Sequence, residues 1–469
     1  MTDVSIAALD RALHHASDYL AGLDRRPVAA TATIDELRAR LGGPLPEQGT
    51  DAVRVIDDLV ANTEGGHLGS AGGRFFAWVI GGALPSALAA DWLTATWDQN
   101  AAIFACGPAA SVVEEIAGQW LLDLLGLPAD ASFAFTTGSQ MAHVTCLAAA
   151  RHATLHCAGW DVERDGLFGA PRVRILTSDQ RHLSIDRALR ILGFGANNLV
   201  PLSTDHNGRI DISAFRAAIA PEHGPAIVVL DAADLNIGAF DPFDALIPIA
   251  RAAGAWVHID GAFGLIARAS RSKRALMPGI ERADSWATDG HKWLNVPYDS
   301  GLAFIRDRAA HRASMTISAS YVAPNARARD QFDWNPEWSR RGRGDPIYAA
   351  LRELGRAGLE NLVDRSCAHA HAIVAGIGAL NGAQTLWLPD LNQGLVRFPD
   401  PSPSAAEADH DARTDAVIAA VNATGEAFFS GTTWRGMRAM RVSVVNWRTT
   451  EEDVRRTIAA VTKVLGQAS

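Results

Sequence analysis

Cysteine is scarce in this sequence: only Cys106, Cys146, Cys157 and Cys367 occur among 469 residues. Their spacing lacks the close pairs of a metal site, and their number is too small for a disulfide framework. We therefore expect reduced thiols in a cytoplasmic protein and no metal centre.

Long apolar runs are absent as well. No stretch of eighteen or more apolar residues occurs, so we expect no transmembrane helix. The first five residues lack a basic region followed by an apolar core, which predicts no secretory signal. A hydrophobic content of 48% with 20% charged residues is typical of a globular protein with a large core.

Positive charge is neither abundant nor concentrated. The formal net charge is −9, there is no lysine-rich patch, and the tight basic cluster is Arg340, Arg341 and Arg343. Proteins that bind nucleic acids need grouped basic residues that contact phosphates. We therefore expect no nucleic-acid partner, and we interpret the arginine cluster as a solvated face or an internal ion-pair site.

What the sequence does contain is an alternation of short β-rich runs with helical stretches between residues 130 and 310. This rhythm is typical of a mainly parallel sheet with helices on both faces, whose binding sites lie at the carboxyl ends of the strands. The predicted strands are Ser132–Thr136, Val173–Thr177, Asn198–Leu202, Ile227–Leu230, Trp256–Asp260, Ser285–Thr288 and Leu302–Ile305. The predicted helices between them are Met141–His152, Ile185–Leu192, Ile212–Ile219 and Phe243–Ala253.

The segments before and after this alternation have other patterns. We predict three domains: a helical arm over 1–60, a large domain over 61–320, and a mobile loop with a small α+β domain over 321–469. The arm has little apolar surface to bury, so it should pack on the rest of the protein or on a second subunit. Outside the large sheet, the predicted helices are Ile6–Leu23, Ile34–Leu41, Asp51–Val60, Ser111–Leu125, Ile347–Leu380, Asp411–Asn422 and Thr450–Leu465, and the predicted strands are Gly394–Phe398, Glu426–Phe429 and Met440–Val445.

Residues 287–295 place Lys292 between His291 and Trp293 in a segment rich in turn formers. Apolar and aromatic surroundings disfavour an ammonium group, because they remove it from water. A neutral amine can attack a carbonyl and form a Schiff base, so Lys292 is a candidate covalent catalyst. An ordinary lysine at a strand end, with its charged group in water, is the alternative that this segment leaves open.

Three other groups of polar residues follow predicted strands. Ser139 and Gln140 open a helix, whose free N–H groups suit a phosphate. The imidazole of His182 could stack on a planar ring or move protons. Asp260 ends an apolar strand, where its carboxylate could hold a protonated pyridine nitrogen. The respective alternatives are a helix cap for Ser139 and Gln140, a capping or hydrogen-bonded residue for His182, and a salt bridge to an arginine for Asp260.

Taken together, a phosphate cup, a stacking ring, a carboxylate and a Schiff-base lysine are the requirements of pyridoxal 5′-phosphate (PLP). The carboxylate keeps the ring nitrogen protonated, so that the ring can accept the electrons left on the substrate carbon. The four groups occur along one predicted sheet, and the sequence therefore predicts a PLP enzyme.

These residues lie in segments that resemble the group II PLP-dependent decarboxylases, the family of the aromatic-L-amino-acid, glutamate and diaminobutyrate decarboxylases. The resemblance implies the α/β aspartate-aminotransferase fold (fold type I), with a mainly parallel seven-stranded sheet, helices on both faces and a smaller α+β C-terminal domain. It also implies a homodimer with active sites at the subunit interface. The matching segments are Thr136–Arg151, Ser178–Leu189, Gly238–Gly264, Ala283–Arg306, Trp338–Leu359 and Arg441–Val454.

The resemblance also implies roles for individual residues on the phosphate side of the cofactor. Lys292 would hold PLP as a Schiff base, with His291 near the phosphate. Ser139 and Gln140 would offer their backbone N–H groups to that phosphate. Asp289 falls at a position that also approaches the phosphate in relatives, where a carboxylate is an unusual choice.

On the ring side, the resemblance implies that His182 stacks over the pyridine, Asp260 pairs with its nitrogen, and Ala262 lies against its other face. Trp78 falls where the family has an aromatic residue that lines the substrate pocket. With Phe104 it favours an aromatic or bulky substrate, although plain packing of these aromatics is the alternative.

Two departures from the family pattern stand out. Residues 233–238 replace a Gly-Thr-Thr run, so hydroxyls expected near the cofactor are missing. Residues 323–347 contain no tyrosine, whereas the family uses a loop tyrosine to protonate the substrate carbon. Tyr321 and Tyr348 flank this stretch without matching the family position. In this group, loss of the loop tyrosine is associated with oxygen-dependent aldehyde formation.

The sequence thus predicts a lyase of carboxylic-acid and amino-acid metabolism that decarboxylates an L-amino acid, with Lys292 and His182 as its catalytic residues. Because the loop tyrosine is missing, the alternatives are oxidative decarboxylation–deamination to an aldehyde, or another PLP lyase or aminotransferase reaction. A relative that has lost activity is a further alternative, against which the retained Lys292 and Asp260 weigh.

Overall fold

The structure is a computed structural model that describes residues 4–220, 224–317 and 328–467. The chain forms two compact units: unit 1 comprises residues 1–80, 372–388 and 395–469, and unit 2 comprises residues 81–371 and 389–394. The helical arm therefore belongs to the same unit as most of the C-terminal segments. The division at residues 60 and 320 stays a prediction.

Unit 2 contains a seven-stranded sheet with the order β1-β7-β6-β5-β4-β2-β3. The strands are β1 Ser132–Thr136, β2 Arg174–Ser178, β3 Leu199–Leu202, β4 Ala226–Asp231, β5 Trp256–Asp260, β6 Ser285–Asp289 and β7 Gly301–Ile305. Strand β7 runs antiparallel to both of its neighbours, and the β6-β5-β4-β2-β3 pairs are parallel. This confirms the predicted mainly parallel sheet of an α/β fold.

The central strands are buried along their whole length. Strand β4 reads Ala-Ile-Val-Val-Leu-Asp, and all six residues are buried. A continuous run of β-branched and apolar residues is typical of a strand with both faces covered by helices. Helix α6, Ser139–Cys157, packs across β5, β6 and β7, and its alanine-rich face allows a close approach.

Several helices of unit 2 begin at a side-chain cap. Asp307, for example, accepts the N–H groups of Ala309 and Ala310 at the start of α12. The other helices of this unit are α4 Pro85–Trp97, α5 Pro108–Leu125, α7 Val162–Asp165, α8 Leu183–Ile191, α9 Ile212–Ala218, α10 Phe243–Ala252 and α11 Arg271–Arg274, with α12 at Arg308–Met315. Helix α13, Gly344–Gly378, begins in unit 2 and is interrupted at Gly355, whose φ is 57°.

Unit 1 combines helices with a four-stranded sheet of order β10-β11-β9-β8. Buried Arg74 lies 3.4 Å from a carboxylate oxygen of Asp453 and donates to the carbonyl oxygen of Glu426 at 2.6 Å. The elements are α1 Val4–Gly22, α2 Ile34–Leu41, α3 Ala52–Thr63, β8 Gln384–Trp387, β9 Gln393–Arg397, α14 Glu407–Ala423, β10 Ser430–Trp434, β11 Met437–Ser443 and α15 Glu451–Gln467.

The predicted strand Glu426–Phe429 is wrong. Only Phe428 makes an isolated bridge, to Phe75, and the regular strand begins at Ser430. The side chain of Asn422 accepts the N–H of Phe429 at 2.8 Å and donates to its carbonyl at 3.0 Å. Because these backbone groups are already satisfied by a side chain, Phe429 has none left for a strand ladder.

Three further features of the structure concern the cysteines, membrane-spanning helices and metal sites. All four cysteines are free, and two of them, Cys106 and Cys157, are exposed. Among the residues that the structure describes, no helix is long and apolar enough to cross a bilayer. In the same residues, no group of three His, Cys, Asp or Glu side chains is arranged to hold a metal ion.

Candidate active site

Several of the predicted site residues meet at one edge of the large sheet. Strands β1, β5 and β6 run in the same direction, so their carboxyl ends lie at the same edge, which we call the carboxyl edge. Asp260 ends β5, Asp289 ends β6, and Ser139 follows β1 as the first residue of α6. The N–H of Asp289 donates to the carbonyl oxygen of Ala262 at 3.0 Å, which joins the β5 and β6 ends.

The first group at this edge is the lysine cluster, which consists of Ser139, Asp289, His291 and Lys292. The Nζ atom of Lys292 lies 2.9 Å from Oδ2 of Asp289. The backbone N–H of Ser139 donates to Oδ1 of the same carboxylate at 2.5 Å, and its hydroxyl donates to Oδ2 at 2.8 Å. Nε2 of His291 is 3.5 Å from Oδ1. All these donors are directed at one anionic group.

The electrostatics of the lysine cluster follow from this arrangement. Burial would raise the pKa of Asp289, but the charges of Lys292 and His291 and the hydrogen bonds from Lys292 and Ser139 hold that pKa below its ordinary value. Burial lowers the pKa of His291, although Asp289 opposes the shift. The Nδ1 atom of His291 accepts the N–H of Ser300 at 3.2 Å, so we assign the ring hydrogen to Nε2, which faces Asp289.

A close backbone contact fixes the position of the lysine loop. A Cβ atom at Gly81 would lie 2.1 Å from the carbonyl oxygen of Lys292, so only glycine fits there. Asn295 has a φ of 53° and is fully buried. Its side-chain oxygen accepts the N–H of Gly82 at 3.1 Å, and its carbonyl accepts the N–H of Leu84 at 2.8 Å. The segment 81–84 therefore holds the loop that carries Lys292.

The second group is formed around Asp260. Its Oδ1 atom accepts the N–H of Ala262 at 3.1 Å, and its Oδ2 atom lies 3.4 Å from Nε2 of His143 on α6. Burial alone would raise the pKa of Asp260, but His143, the Ala262 N–H and the charge of His182 outweigh it and lower that pKa. Asp260 is therefore ionised, as a partner for a protonated ring nitrogen must be.

His182 and Gln140 meet at the start of α8. His182 is the residue before the helix, and its Nδ1 atom accepts the N–H of Ser184 at 3.2 Å. The side-chain amide of Gln140 donates to the carbonyl of Ser184 at 3.2 Å. His182 thus caps a helix, as one interpretation of the sequence allowed, and its charge also acts on Asp260.

The two predicted substrate residues lie in separate segments. Trp78 belongs to unit 1, has a φ of 54°, and packs against Phe75 and Phe428 with ring centroids 5.9 and 5.6 Å apart. Phe104 lies in the turn before α5 in unit 2, where its N–H donates to Asp330 at 2.8 Å. A contact with substrate stays a prediction for both residues.

Three residues near the site were not predicted from the sequence. His143 and His258 are fully buried behind Asp260, and Tyr298 stacks on His291 with ring centroids 4.2 Å apart. Burial and the charge of Asp289 raise the pKa of Tyr298 to about 12. The strand period does place His258 on the same face of β5 as Asp260, two residues away, which was the available signal. No local pattern indicates Tyr298.

The two departures from the family pattern have structural counterparts. The carboxylate of Asp234 accepts the N–H groups of Asn236 at 2.8 Å and Ala239 at 2.9 Å, so it closes its own turn. Of the tyrosines that flank the 323–347 stretch, Tyr348 stacks on Trp120 with centroids 5.0 Å apart. Tyr321 lies outside the described residues.

The chemistry of these donors fits PLP. The lysine cluster supplies an amine and several donors that converge on an anion, which is what an aldehyde and a phosphate require. The hydroxyls of Thr288 and Ser300 are buried and, among the described residues, have no hydrogen-bond partner. A Cβ atom at Gly301 would lie 2.3 Å from the carbonyl carbon of Gly138, so glycine at 301 lets strand β7 pack directly against the turn before α6. Asp289 is the exception, because its carboxylate uses donors that the phosphate would need.

Comparison with family models and with curated proteins gives a consistent result. The model described as "Pyridoxal-dependent decarboxylase conserved domain" matches residues 36–399. An aromatic-L-amino-acid decarboxylase from Bacillus atrophaeus is 28% identical over 446 residues, which are 93% of this chain and 90% of the relative. An L-2,4-diaminobutyrate decarboxylase from Rhizobium meliloti (strain 1021) is 30% identical over 384 residues, or 80% of this chain and 74% of the relative.

Solved structures share the fold. The Oryza sativa TDC with PLP and tryptamine superposes with a TM-score of 0.93 at 23% identity, covering 100% of this chain and 99% of that one. Mouse CSAD gives a TM-score of 0.90 at 22% identity, with 99% of each chain covered. The seven-stranded sheet described above is therefore the sheet of fold type I PLP enzymes.

Proposed function

This chain belongs to the pyridoxal-dependent decarboxylase family, and we propose that it decarboxylates an L-amino acid with an aromatic or other bulky side chain. As a member of that family it is a carboxy-lyase, an amino-acid decarboxylase, and its cofactor is PLP. One observation carries the proposal: Lys292 and its anion-directed neighbours lie at the same sheet edge as the ionised Asp260.

The chain's own residues would hold the cofactor from both ends. Bound PLP supplies a ring that accepts the electron pair left when the carboxylate departs as carbon dioxide. Lys292 offers its ε-amino nitrogen as the covalent attachment point, beside His291. Ser139 and Gln140, at the start of α6, offer N–H groups to the phosphate. Asp260 keeps the proton on the ring nitrogen.

Other residues would orient the ring and the substrate. As the family resemblance implies, we assign His182 to one face of the ring and Ala262 to the other. Both residues act on Asp260, His182 through its charge and Ala262 through its N–H. His182 is also our candidate for the group that returns a proton to the substrate carbon.

The substrate class rests on aromatic residues and on relatives. Trp78 is half exposed, so part of its ring is available for contact with a ligand. Phe104 is the second candidate contact. Relatives include proteins named aromatic-L-amino-acid decarboxylase and tryptophan decarboxylase 1, which supports an aromatic substrate here.

We propose that the protein is a homodimer with shared active sites. Helix α1 exposes Ile6, Leu9 and Leu13 by 53–54% each, at the i, i+3, i+7 spacing of one helical face. Val55 and Leu59 on α3 are exposed as well. An apolar stripe of this kind usually covers another surface. Light scattering after gel filtration should give twice the mass of 49.9 kDa.

We also propose a cytoplasmic location. Four free thiols, two of them exposed, are compatible with a reducing compartment, where disulfides are rare. Fractionation of the source cells should recover the protein with the cytoplasmic fraction.

A product assay tests the proposed reaction. Purified enzyme with PLP is incubated with a panel of L-amino acids, and carbon dioxide, amine, hydrogen peroxide, aldehyde and ammonia are measured. We expect one mole of amine per mole of carbon dioxide, with aromatic substrates turned over fastest. Carbon dioxide with stoichiometric aldehyde, peroxide and ammonia would instead show oxidative deamination, and no carbon dioxide from any substrate would refute decarboxylation.

A further inference from the structure

A chain of buried polar side chains extends from Asp260 into the protein. We call it the histidine chain, and it consists of Asp260, His143, His258, Ser285 and Trp256. Nε2 of His143 is 3.4 Å from Oδ2 of Asp260, and Nδ1 of His143 is 2.9 Å from Nε2 of His258. Nδ1 of His258 is 2.9 Å from the Ser285 hydroxyl, which the Trp256 indole also contacts at 2.9 Å.

The fold fixes this chain from three elements. Trp256, His258 and Asp260 alternate along β5 and therefore share one face of the strand. Ser285 is the registered partner of His258 on β6. His143 comes from α6, one turn after Ser139. Both imidazoles are fully buried. Among the described residues, Nε2 of His143 has no hydrogen-bond partner of good geometry, and its nearest acidic group is Asp260, at 3.4 Å.

The direction of the hydrogen bonds follows from Trp256. An indole N–H can only donate, so Ser285 accepts from it and its own hydrogen can go to Nδ1 of His258. Burial, together with His143, lowers the pKa of His258 well below its ordinary value, so this ring is neutral. We therefore assign the His258 hydrogen to Nε2, which is 2.9 Å from Nδ1 of His143 and would donate to it. The remaining hydrogen of His143 then lies on Nε2, which faces Asp260.

A neighbouring carboxyl, that of Asp231, lies in a different electrostatic environment from that of Asp260. Asp231 ends β4 and is the registered partner of Asp260. The two residues are similarly buried, at 7% and 6% exposure. Burial and the charges of Asp241, Asp260 and Asp234 raise the pKa of Asp231, whereas that of Asp260 is lowered. His143 is the largest of the groups that lower the pKa of Asp260.

We propose that His143 is a positioning residue of the active site: backed by His258, Ser285 and Trp256, it directs its Nε2 toward Asp260 at 3.4 Å and keeps that carboxylate ionised and oriented toward the cofactor's ring nitrogen. This inference rests on the proposed function, since it assigns Asp260 to the ring. His143 does not touch the reacting atoms and acts through Asp260 alone.

The test compares PLP binding by four variants with that of the wild-type protein. His143→Leu removes the donor, His143→Gln keeps an amide donor, and Ser285→Ala removes the group that orients His258. Thr145→Val is the matched control, because Thr145 is a fully buried polar residue on the same helix, outside the chain. The readouts are the PLP dissociation constant by fluorescence titration, the visible spectrum of bound PLP, and thermal melting without added PLP.

We expect His143→Leu to raise the PLP dissociation constant between about fivefold and a hundredfold, the effect of taking a partner from a buried charged acceptor. Its spectrum of bound PLP should differ from that of wild type. His143→Gln should restore most of the affinity, and Thr145→Val should leave affinity and spectrum unchanged. Ser285→Ala should weaken binding in the same direction as His143→Leu, by a smaller factor.

Unchanged affinity and spectrum in His143→Leu would overturn the proposal, as would an equal loss in Thr145→Val. If His143→Leu shows no cooperative melting, the Ser285→Ala variant provides the test. Weaker PLP binding by Ser285→Ala than by wild type supports the proposal, and PLP binding equal to that of wild type overturns it. A different result refutes the proposed function itself: the wild-type protein shows no absorbance of bound PLP that depends on Lys292.

Discussion

Two buried carboxylates at the carboxyl edge, Asp260 and Asp289, are held in different ways. Asp260 is supported from behind by the histidine chain, whose imidazoles are fully buried. Asp289 is held by Lys292, whose side chain is 20% exposed, and by the start of α6. The partners of Asp260 are thus fixed by the sheet and a helix face, whereas the main partner of Asp289 is Lys292, which lies on a loop.

The pKa of Asp260 and that of Asp289 are both lowered, but for different reasons and with different consequences. An aspartate with only internal donors keeps its charge whether or not a ligand is present. An aspartate paired with Lys292 shares that amine with any cofactor that reacts there, and shares the Ser139 N–H with any phosphate. We expect Asp260 to support the cofactor and Asp289 to compete with part of it.

The largest effect should come from Lys292 itself. Lys292→Ala removes the nucleophile and the charge that balances Asp289, so activity should fall to background and PLP should be held without covalent attachment. The measurements are carbon dioxide release and, after reduction of the Schiff base with borohydride, retention of the cofactor through gel filtration under denaturing conditions. Lys273→Ala is the matched control, since Lys273 donates to the Asp390 carbonyl and is outside the lysine cluster. Wild-type activity in Lys292→Ala would refute the assignment.

Asp260→Asn should have the next largest effect. Removing one preorganised charge at a reacting ring typically costs about 10²–10³-fold in kcat, and we expect a loss of that size here. The variant keeps the shape of the side chain, so its melting temperature should change little. Steady-state kinetics with the preferred amino acid measure the effect, and a loss below threefold would show that Asp260 does not serve the ring.

Asp289→Asn should change PLP affinity in the opposite direction from Asp260→Asn. The amide keeps an acceptor for the Ser139 N–H but removes a negative charge from the place where a phosphate is expected. We expect the PLP dissociation constant to fall by up to about tenfold, equivalent to roughly 1.4 kcal/mol. Fluorescence titration of both variants side by side gives the sign directly. If both variants weaken PLP binding equally, the distinction between the two carboxylates is wrong.

A buried histidine away from the site gives the smallest effect, on stability alone. His311 contacts the Trp334 carbonyl at 2.9 Å and the Ser132 hydroxyl at 2.8 Å. Burial and the charge of Arg329 lower its pKa to about 3, against roughly 6.5 when unfolded. A depressed histidine pKa contributes stability that is fully present above pH 6.5 and is lost as the pH falls toward 3.

The variant His311→Gln cannot titrate but can still donate and accept hydrogen bonds. Its free energy of unfolding should therefore depend less on pH between about 6.5 and 3 than that of wild type. Urea unfolding at several pH values measures both slopes. Identical slopes would show that His311 is not the group responsible, whereas activity at neutral pH should stay near that of wild type because this histidine contacts no residue of the lysine cluster or the histidine chain in the described structure.

The sequence was sufficient for the sheet and for the residues at its strand ends. Buried apolar runs such as β4 and β5 are readable because both faces of each strand are covered. The carboxyl ends of such strands then bring Asp260 and Asp289 to one edge without further information. Ser139 could be placed by the same rule, as the first residue after β1.

What could not be predicted depends on packing between elements. His143 faces Asp260 only because α6 crosses β5 at a particular rotation, which the helical period does not specify. Tyr298 reaches His291 through the path of the loop that follows Lys292. The failed strand at Glu426–Phe429 has a similar cause, since the Asn422 side chain takes the hydrogen bonds of Phe429.

The most direct test of the central claim is to locate the covalent attachment of PLP. The chain contains three lysines, Lys273, Lys292 and Lys463, so the mapping has few possible outcomes. Holoenzyme is reduced with borohydride, digested, and analysed by mass spectrometry. We predict that the phosphopyridoxyl group lies on the peptide that contains Lys292. A phosphopyridoxyl group on Lys273 or Lys463, or no labelled peptide in an enzyme that is active with PLP, would contradict the assignment of Lys292.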